Sequence, residues 1–490
     1  MTKKHVIIIL LIGILLSSIT VFLIFNKKQD IDILYKVPKN AASVLVVNTF
    51  DLSSKLFFDD LGKSSKNISG LIEHIPDSLS DIDLSKSGLE FLDKIVLFST
   101  EDSISLNHTA FILTISDIDR FNNFADSISH KLNFIIEEDK GIKQVYYKSL
   151  NLILVWNNDF IAGTKAVDDK AGKFKTLKKV LSTRKGQSIM ADSNFVKGLA
   201  NKFDGFFYSK PGSENLPKRL GFLNDTVESV STFINFNDGE IEITASLKQK
   251  KGSLLDKLFI NPEKEVYFIE NVDSSIVNID LNVKPAAFFQ IARQLKSVKI
   301  NTKKFPYFAA WDGRMNLVAN GSKIIENEFI TYEYDDNFNK VEVKEKTRDK
   351  IWDIKAILGV KEPALDSIYK QNPLIKYKSD TLLFKGSNFI INKIEDNYLT
   401  YNKHTEKPRV YQTRKKENIS VRLDFKRIIE LTKELGFKNK YSFLDSIGLD
   451  KLKLTVSKRE NILIACHLYL EDKEKNAFFN LSEYFQKNLN

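Results

Sequence analysis

The sequence predicts an α+β fold in which an N-terminal transmembrane helix precedes duplicated, mostly antiparallel sheets with helices packed on one face. Residues 6–25 form a run without a charged side chain. Residues 240–247 alternate polar and apolar side chains, which is typical of a half-buried strand. Strand and helix patterns follow one another without the regular βαβ rhythm of a parallel sheet, and this favours antiparallel pairing.

The apolar run predicts a membrane anchor. At about 1.5 Å of rise per helical residue, residues 6–25 match the roughly 30 Å hydrocarbon layer of a bilayer. A removed signal peptide usually has a shorter apolar core and a small-x-small cleavage site, and neither is present. We therefore expect residues 1–28 to be an uncleaved signal anchor, with a removed signal peptide as the alternative.

The charges flanking the anchor do not settle its orientation. Lys3 and Lys4 precede the apolar run, and Lys27 and Lys28 follow it. A short basic head before a long apolar run resembles a signal anchor, and large domains are translocated largely regardless of their charge. We therefore expect a single-pass inner-membrane protein, with the N-terminus inside and the bulk of the chain periplasmic.

A strand–helix–hairpin pattern recurs four times after a predicted tether at residues 29–37. In the four copies, the first strand is predicted at 43–48, 204–209, 275–281 and 419–425. A Tyr-Lys-Ser sequence opens a strand pair at Tyr147 and again at Tyr377. Self-similarity of this kind predicts two related halves, 38–262 and 263–490. Several unrelated α+β domains are the alternative.

Three local predictions are specific enough to be tested by a structure. The third hairpin is predicted to pair residues 314–321 with residues 327–334. Pro285 is predicted in the first turn of a helix, where its missing N–H costs nothing. The Ser116-x-x-Asp119 pattern predicts the cap of a helix that includes Phe121.

The charge distribution does not indicate a nucleic-acid partner. The formal net charge is +10, but acidic residues are interspersed along nearly the whole chain. Nucleic-acid domains concentrate basic residues on one face or helix. The richest basic cluster, between Lys403 and Lys416, predicts a solvated hairpin.

No catalytic, cofactor-binding or metal-ligating residue is assigned from the sequence. The six histidines lack the paired spacing of a zinc site, and glycine motifs for phosphate binding are absent. Asp81 with Asp83 and Asp335 with Asp336 fit solvated loops better than acid/base pairs. Cys466 is predicted to be a small buried residue that packs like an apolar side chain. Its neighbour His467 is predicted either to have a hydrogen-bond partner or to face solvent.

The segment Val37-Pro38-Lys39-Asn40-Ala41, which leads into a predicted strand, carries a resemblance to a known group. Residues 188–209, SIMADSNFVKGLANKFDGFFYS, extend it. Over residues 37–260 the chain resembles uncharacterised bacterial envelope-anchored proteins with an N-terminal hydrophobic-Pro-x-Asp/Asn-Ala-strand motif. The resemblance implies an envelope location and no agreed activity.

Three functional classes remain, and the sequence ranks them. A non-enzymatic binding or scaffolding ectodomain with an envelope protein partner ranks first. Such a protein requires only sheet surfaces displayed from a membrane, and the predicted anchor, tether and repeated sheets provide them. A carrier of a lipid or other apolar ligand ranks second, on the strength of the amphipathic strands and 36 phenylalanines. An enzyme ranks last, and no nucleotide, nucleic acid or cofactor is expected.

Overall fold

The computed structural model describes most of the chain from Ile31 onward. The described residues are 31–52, 87–90, 93–99, 109–166, 169–210, 222–260, 266–270, 275–294, 310–334, 336, 338–361, 375–378, 381–384, 389–395, 397–402, 404–413, 417–434, 447–478 and 481. They divide into two compact units, with Lys202 the last residue of unit 1 and Phe203 the start of the main part of unit 2.

The described part of unit 1 consists of short strands and helices. Its strands are β1 (Ser43–Asn48), β2 (Lys94–Ser99), β3 (Thr109–Thr114), β4 (Glu137–Asp139), β5 (Ile142–Tyr147), β6 (Leu152–Trp156) and β7 (Phe160–Lys165). Its helices are α1 (Ile118–Leu132), α2 (Lys170–Leu181) and α3 (Ser193–Leu199), with 3-10 turns at Ile31–Lys36, Lys148–Leu150, Lys185–Gln187 and Ile189–Ala191.

The unit 1 strands form an antiparallel sheet in the order β4-β5-β6-β7-β3-β2-β1. Side chains at the centre of this sheet are shielded from solvent. Those of Val46, Val96, Ala110 and Ile112 are fully buried. Burial of such side chains is worth about 1.5–3 kcal/mol each relative to exposure. The central hairpin β2–β3 therefore belongs to the stable core of unit 1.

Helix α1 packs on this sheet through Phe121, whose ring meets Trp156 edge to face at 5.7 Å. The helix begins one residue later than the predicted Ser116 cap. Asp117 is the N-cap, and its Oδ1 accepts a hydrogen bond from Arg120 N at 3.0 Å. The prediction is wrong because Ser116 Oγ donates to Gly88 O instead, which leaves Asp117 to bind the free helix amides.

Unit 2 contains the remaining strands. They are β8 (Gly205–Ser209), β9 (Val227–Asn237), β10 (Glu240–Gln249), β11 (Val266–Ile269), β12 (Val277–Asn282), β13 (Trp311–Tyr334), β14 (Lys340–Val360), β15 (Ile375–Lys378), β16 (Thr381–Phe384), β17 (Phe389–Ile394), β18 (Asn397–Asn402), β19 (Val410–Thr413), β20 (Ile419–Asp424), β21 (Leu449–Lys458) and β22 (Ile462–Leu470). The helices are α4 (Phe222–Thr226), α5 (Leu254–Leu258), α6 (Pro285–Gln294) and α7 (Phe425–Glu434).

These strands, apart from β11 and β19, form one continuous antiparallel sheet. Its order is β8-β9-β10-β22-β21-β20-β12-β13-β14-β18-β17-β16-β15. Strands β11 and β19 pair with each other and pack over Val318, Ile357 and Leu399. Pro285 is the first residue of α6, so the prediction for that helix is confirmed.

The predicted fold class is wrong. Strand β10 of the predicted half 38–262 pairs with β22 of the half 263–490, from Glu240 opposite Tyr469 to Leu247 opposite Ile462, so the halves do not form separate sheets. Alternation shows that a strand has one apolar face, but it does not show which edge it will meet.

The helices also fail to form one layer on one face. Within unit 2, α5 and α6 cover only one end of the sheet, around Leu247, Val456 and Trp311. No helix in the described ranges is both long and apolar enough to cross a membrane. The predicted anchor at 6–25 lies outside those ranges, as do Asp81, Asp83 and Asp335.

The strand order nevertheless recurs along the chain. The unit 1 order from β4 to β1 has the same connectivity as the unit 2 order β15-β16-β17-β18-β14-β13-β12. Likewise, β8, β9 and β10 follow one another as β20, β21 and β22 do. Superposition of the halves 38–262 and 263–490 stays a prediction.

Candidate functional site

The hairpin of β13 and β14 extends beyond the rest of the unit 2 sheet. Strand β12 pairs with β13 only at residues 314–319, and β18 pairs with β14 only at residues 355–359. The two strands continue to pair with each other from Ser322, opposite Trp352, to Tyr334, opposite Lys340. We call residues 322–352 the hairpin arm. Within the described sheet, the arm is a two-stranded ribbon.

The arm begins at a bulge. The register of β13 against β14 shifts between Ala319 and Ser322, and Gly321 has φ +113°. This backbone conformation is essentially restricted to glycine, and a bulge bends and twists the strand that carries it. The sequence GSK at 321–323 therefore turns the strand slightly instead of reversing it.

The predicted third hairpin, 314–321 with 327–334, is wrong for this reason. Both segments lie in the single strand β13. The reversal lies instead between Tyr334 and Lys340, within the sequence DDNFN. Asp and Asn favour turns because their side chains bond nearby backbone amides, so this signal was available in the sequence.

A polar cluster holds the base of the arm. Asn320 Nδ2 donates to Asp353 Oδ2 at 3.1 Å, and Arg427 Nη2 donates to the Asn320 carbonyl at 3.2 Å. Lys355 Nζ lies 3.6 Å from the same Asp353 carboxylate, which is buried. A buried charge pair is strongly oriented by its partners. These contacts fix where the ribbon leaves the sheet.

The arm exposes many apolar side chains. Of thirteen exposed large hydrophobic residues in the described part of the chain, seven lie in the arm. They are Ile324, Phe329, Ile330, Tyr332, Tyr334, Phe338 and Val341, with exposed fractions between 40% and 86%. Single exposed apolar residues are ordinary, but Ile330, Tyr332 and Tyr334 are neighbours on one face of the ribbon, and an exposed apolar set of this kind marks an interaction surface. This concentration makes the arm the candidate functional site.

The two strands of the arm differ in charge. On one face, β14 presents Lys344, Lys346, Arg348 and Lys350 at alternate positions, and β13 presents Glu326 and Glu328 opposite two of them. Arg348 Nε lies 3.0 Å from Glu326 Oε1, and Lys346 Nζ lies 3.0 Å from Glu328 Oε1. Such exposed pairs are worth only about 0–1 kcal/mol, so they orient side chains more than they stabilise the ribbon.

A second polar cluster lies in the body of unit 2. Asn316 Nδ2 donates to Asn278 Oδ1 at 3.2 Å and to Asp280 Oδ1, and Asn316 Oδ1 accepts from Ile269 N at 3.1 Å. All three polar side chains are buried. They tie β11 to β12 and β13. Each bond left unmade in such a site would cost about 1–3 kcal/mol.

Beside this cluster is a cavity of about 20 Å³, lined by Asp280, Asn282, Arg314 and Asn418 among others. A cavity of this size has room for one water molecule. Ligand sites for drug-sized molecules are about 300–1,000 Å³. This cavity therefore fits a structural water and not a lipid.

The residues singled out in the sequence do not come together into a reactive site. His467 Nδ1 lies 2.6 Å from Glu240 Oε1, which makes it a satisfied histidine. Cys466 is a free, half-buried thiol, and burial raises its pKa. In the basic cluster, His404, Lys407 and Arg409 precede β19. The described residues hold no group of three or more His, Cys, Asp or Glu arranged for a metal ion.

Comparison with known proteins gives little support for an identity. No protein-family model matches the chain, and no curated protein matches it. The chain is weakly similar to crystal form III of TP0453, with 13% identity, a TM-score of 0.29, and coverage of 45% of this chain and 80% of that one. Crystal form I of TP0453 gives 12% identity, a TM-score of 0.28, and coverage of 46% and 82%.

Proposed function

We propose that this chain is a non-enzymatic binding or scaffolding protein of the bacterial cell envelope, and that the hairpin arm is its binding element. The exposed apolar side chains of the arm carry this proposal. Exposed apolar side chains lower solubility and contribute little to core packing. Contact with a partner is therefore the simplest explanation for their presence in the arm. The polar cluster of Asn320 and the buried Asp353 supports it, because a fixed base presents the arm in one direction.

The apolar segment 6–25 and its basic head support the envelope location. Attachment to the inner membrane through this segment would keep the body of the chain outside the cytoplasm. A partner in the same compartment would then be another envelope protein. The cavity beside Asp280 gives no support to the alternative of a lipid carrier, since it is more than tenfold smaller than a ligand site.

Site-specific photocrosslinking in intact cells tests the proposal. A photoreactive phenylalanine analogue replaces Ile330, which is 52% exposed in the arm, in the full chain. The matched control carries the same analogue at Ile135, which is 82% exposed in unit 1. We expect a discrete protein adduct from position 330 and none from position 135. Equal adducts from both positions, or none from either, would contradict a binding role for the arm.

A further inference from the structure

The hairpin arm has two outer edges, and they differ in their ability to accept another strand. Along the arm, no described strand pairs with the outer edge of β13 or of β14. An open edge presents unpaired N–H and C=O groups and is a template for strand addition. Proteins commonly block such edges with charged residues, lysine above all.

The β14 edge is blocked in this way. Lys344, Lys346, Arg348 and Lys350 follow at alternate positions on one face. A second β14 strand laid antiparallel against this edge would bring basic side chains opposite basic side chains. Like charges directly opposite each other destabilise a strand pair. The β14 edge therefore disfavours pairing with another copy of itself.

The β13 edge lacks such a basic stripe. Its exposed apolar residues include Ile324, Phe329, Ile330 and Tyr332, and its exposed charged residues, Lys323, Glu326, Glu328 and Glu333, are of mixed sign. The acidic residues Glu326 and Glu328 on this strand are already bonded to Arg348 and Lys346 of the same ribbon, as described above. An incoming strand therefore meets Lys323 and Glu333 as the other exposed charged residues of this edge. It must supply β-branched and aromatic side chains, which form the favourable cross-strand pairs.

We propose that the occupant of this edge is β13 of a second copy of the chain, added antiparallel about a two-fold axis at Phe329. This inference rests on the proposed function of the arm. At this register Ile324 lies opposite Tyr334 of the second copy, and Glu328 lies opposite Ile330 of the second copy. No two charges of like sign are opposed. Centring the axis on Glu328 would oppose Glu328 to itself, and centring it on Asn327 would oppose Glu326 to Glu328, so both of these registers are disfavoured.

Disulfide crosslinking of the full chain tests the register. Directly opposed residues in antiparallel strands have Cα atoms about 4.5–5.5 Å apart, which suits a disulfide. In a Cys466→Ala background, Phe329→Cys should form a disulfide-linked dimer under mild oxidation. The control is Glu345→Cys, because Glu345 lies opposite Phe329 on the blocked strand of the same ribbon. This control should stay monomeric.

Sedimentation of the extracted full chain provides a second measurement that needs no cysteine. Ile330→Glu places a like charge opposite Glu328 of the second copy, so it should raise the dimer dissociation constant by about tenfold or more, which corresponds to about 1.4 kcal/mol. Lys344→Gln, directly opposite on β14, should leave this constant unchanged. Equal crosslinking of both cysteine variants, or equal effects of both sedimentation variants, would overturn the assignment to the β13 edge.

The failure of this inference and that of the proposed function are distinguishable. A chain that stays monomeric and forms no disulfide at Phe329 overturns the two-fold contact. If position 330 still gives a protein adduct of another mass in cells, the arm binds a different protein and the proposed function stands. If position 330 gives no adduct either, both proposals fall.

Discussion

The hairpins β2–β3 and β13–β14 occupy the same place in the strand order of their units, yet their surroundings differ. Hairpin β2–β3 is flanked by β1 and β7 along its length, and Phe98 and Ile112 in it are buried. Hairpin β13–β14 is flanked only at its base, where Val318 and Ile357 are buried. Beyond Gly321 the ribbon has no flanking strand among the described residues.

The difference shows that apolar strand residues can serve two purposes. Residues 95–98 of β2 and 110–113 of β3 are continuous apolar runs that stabilise unit 1. In the arm the same residue types meet solvent. Burial, and not the pattern itself, converts an apolar side chain into stability. The comparison predicts that substitutions in the first hairpin act on folding and those in the arm act on binding.

The largest expected difference is between two phenylalanines. Phe98→Ala in β2 should lower the free energy of unfolding by about 3–5 kcal/mol, because Phe98 is 1% exposed and its removal leaves a cavity. Phe329→Ala in the arm should change it by less than about 1 kcal/mol, because Phe329 is 40% exposed. Urea denaturation of the two variants measures both values. Similar losses would mean that the arm is part of the folding core.

The next largest effect on stability is expected at Asn316, in the part of β13 that lies within the sheet. Asn316→Leu should cost about 1–3 kcal/mol, because the Ile269 N–H loses its acceptor and Asp280 loses a donor in a buried site. The control is Asn461→Leu, since Asn461 Nδ2 lies 3.4 Å from Ser246 Oγ and makes at most a weak bond. Denaturation midpoints compare the two. A neutral Asn316→Leu would show that the cluster does not hold β11 in place.

A smaller effect on stability is expected at Gly321, where β13 passes from the sheet into the hairpin arm. Gly321→Ala should cost an amount near the lower end of about 1–3 kcal/mol, because φ +113° is unfavourable for alanine. An added Cβ would also lie 3.1 Å from Ile276 Cδ1. Gly186→Ala is the matched control, because nothing lies within 4 Å of a Cβ at that position and its φ is not positive. Equal thermal midpoints for both variants would contradict the bulge.

The smallest effect concerns two ion pairs. Lys458 Nζ lies 2.6 Å from Asp256 Oδ1 in the body of unit 2, and this hydrogen bond lowers the pKa of the Asp256 carboxyl. A lowered folded pKa means that the stabilisation is present above the ordinary carboxyl pKa of about 3.9 and is lost as pH falls through the folded value. Asp256→Asn should therefore cost up to about 1 kcal/mol at pH 7, and this cost should fall as the pH drops below about 3.9 and the folded carboxyl becomes protonated.

The arm provides the control for this titration. Glu328 and Lys346 are both more than half exposed, so Glu328→Gln should change stability by less than about 0.5 kcal/mol at either pH. Denaturation of both variants at pH 7 and at low pH measures the four values. A larger loss for Glu328→Gln than for Asp256→Asn would contradict the contrast between the body and the arm.

Much of the secondary structure could be predicted from local patterns. The alternation in residues 240–247 matches β10, and Pro285 opens α6 as expected. The alternation of polar and apolar residues could not predict which strands pair with one another. The edge of β10 that meets β22 is set by long-range packing, which leaves no signal in either strand alone. The fold class of duplicated sheets with helices packed on one face was therefore a wrong inference from correct strands.

The extent of the hairpin arm differs from the prediction because the reversal lies elsewhere. The reversal is predicted between residues 321 and 327, whereas Gly321 forms a bulge within β13 and the strand continues to Tyr334. The interpretation placed the reversal too early and shortened the hairpin. The turn residues between Tyr334 and Lys340 indicate the true reversal, and with it two strands of 24 and 21 residues. The exposure of Ile324 or Ile330 could not be predicted, because it depends on long-range packing: no strand in the described ranges flanks this part of β13.

Hydrogen–deuterium exchange of the full chain tests the central claim most directly, because it measures backbone protection on each strand of the arm separately. It is measured in native membrane vesicles and again on the extracted chain diluted to a monomer. We predict that amides of residues 322–334 are protected in the vesicles and lose protection on dilution. Amides of residues 340–350 should change much less, and those of β2 and β3 should stay protected in both states. Equal exchange at residues 322–334 in the two states would contradict a binding role for the β13 edge.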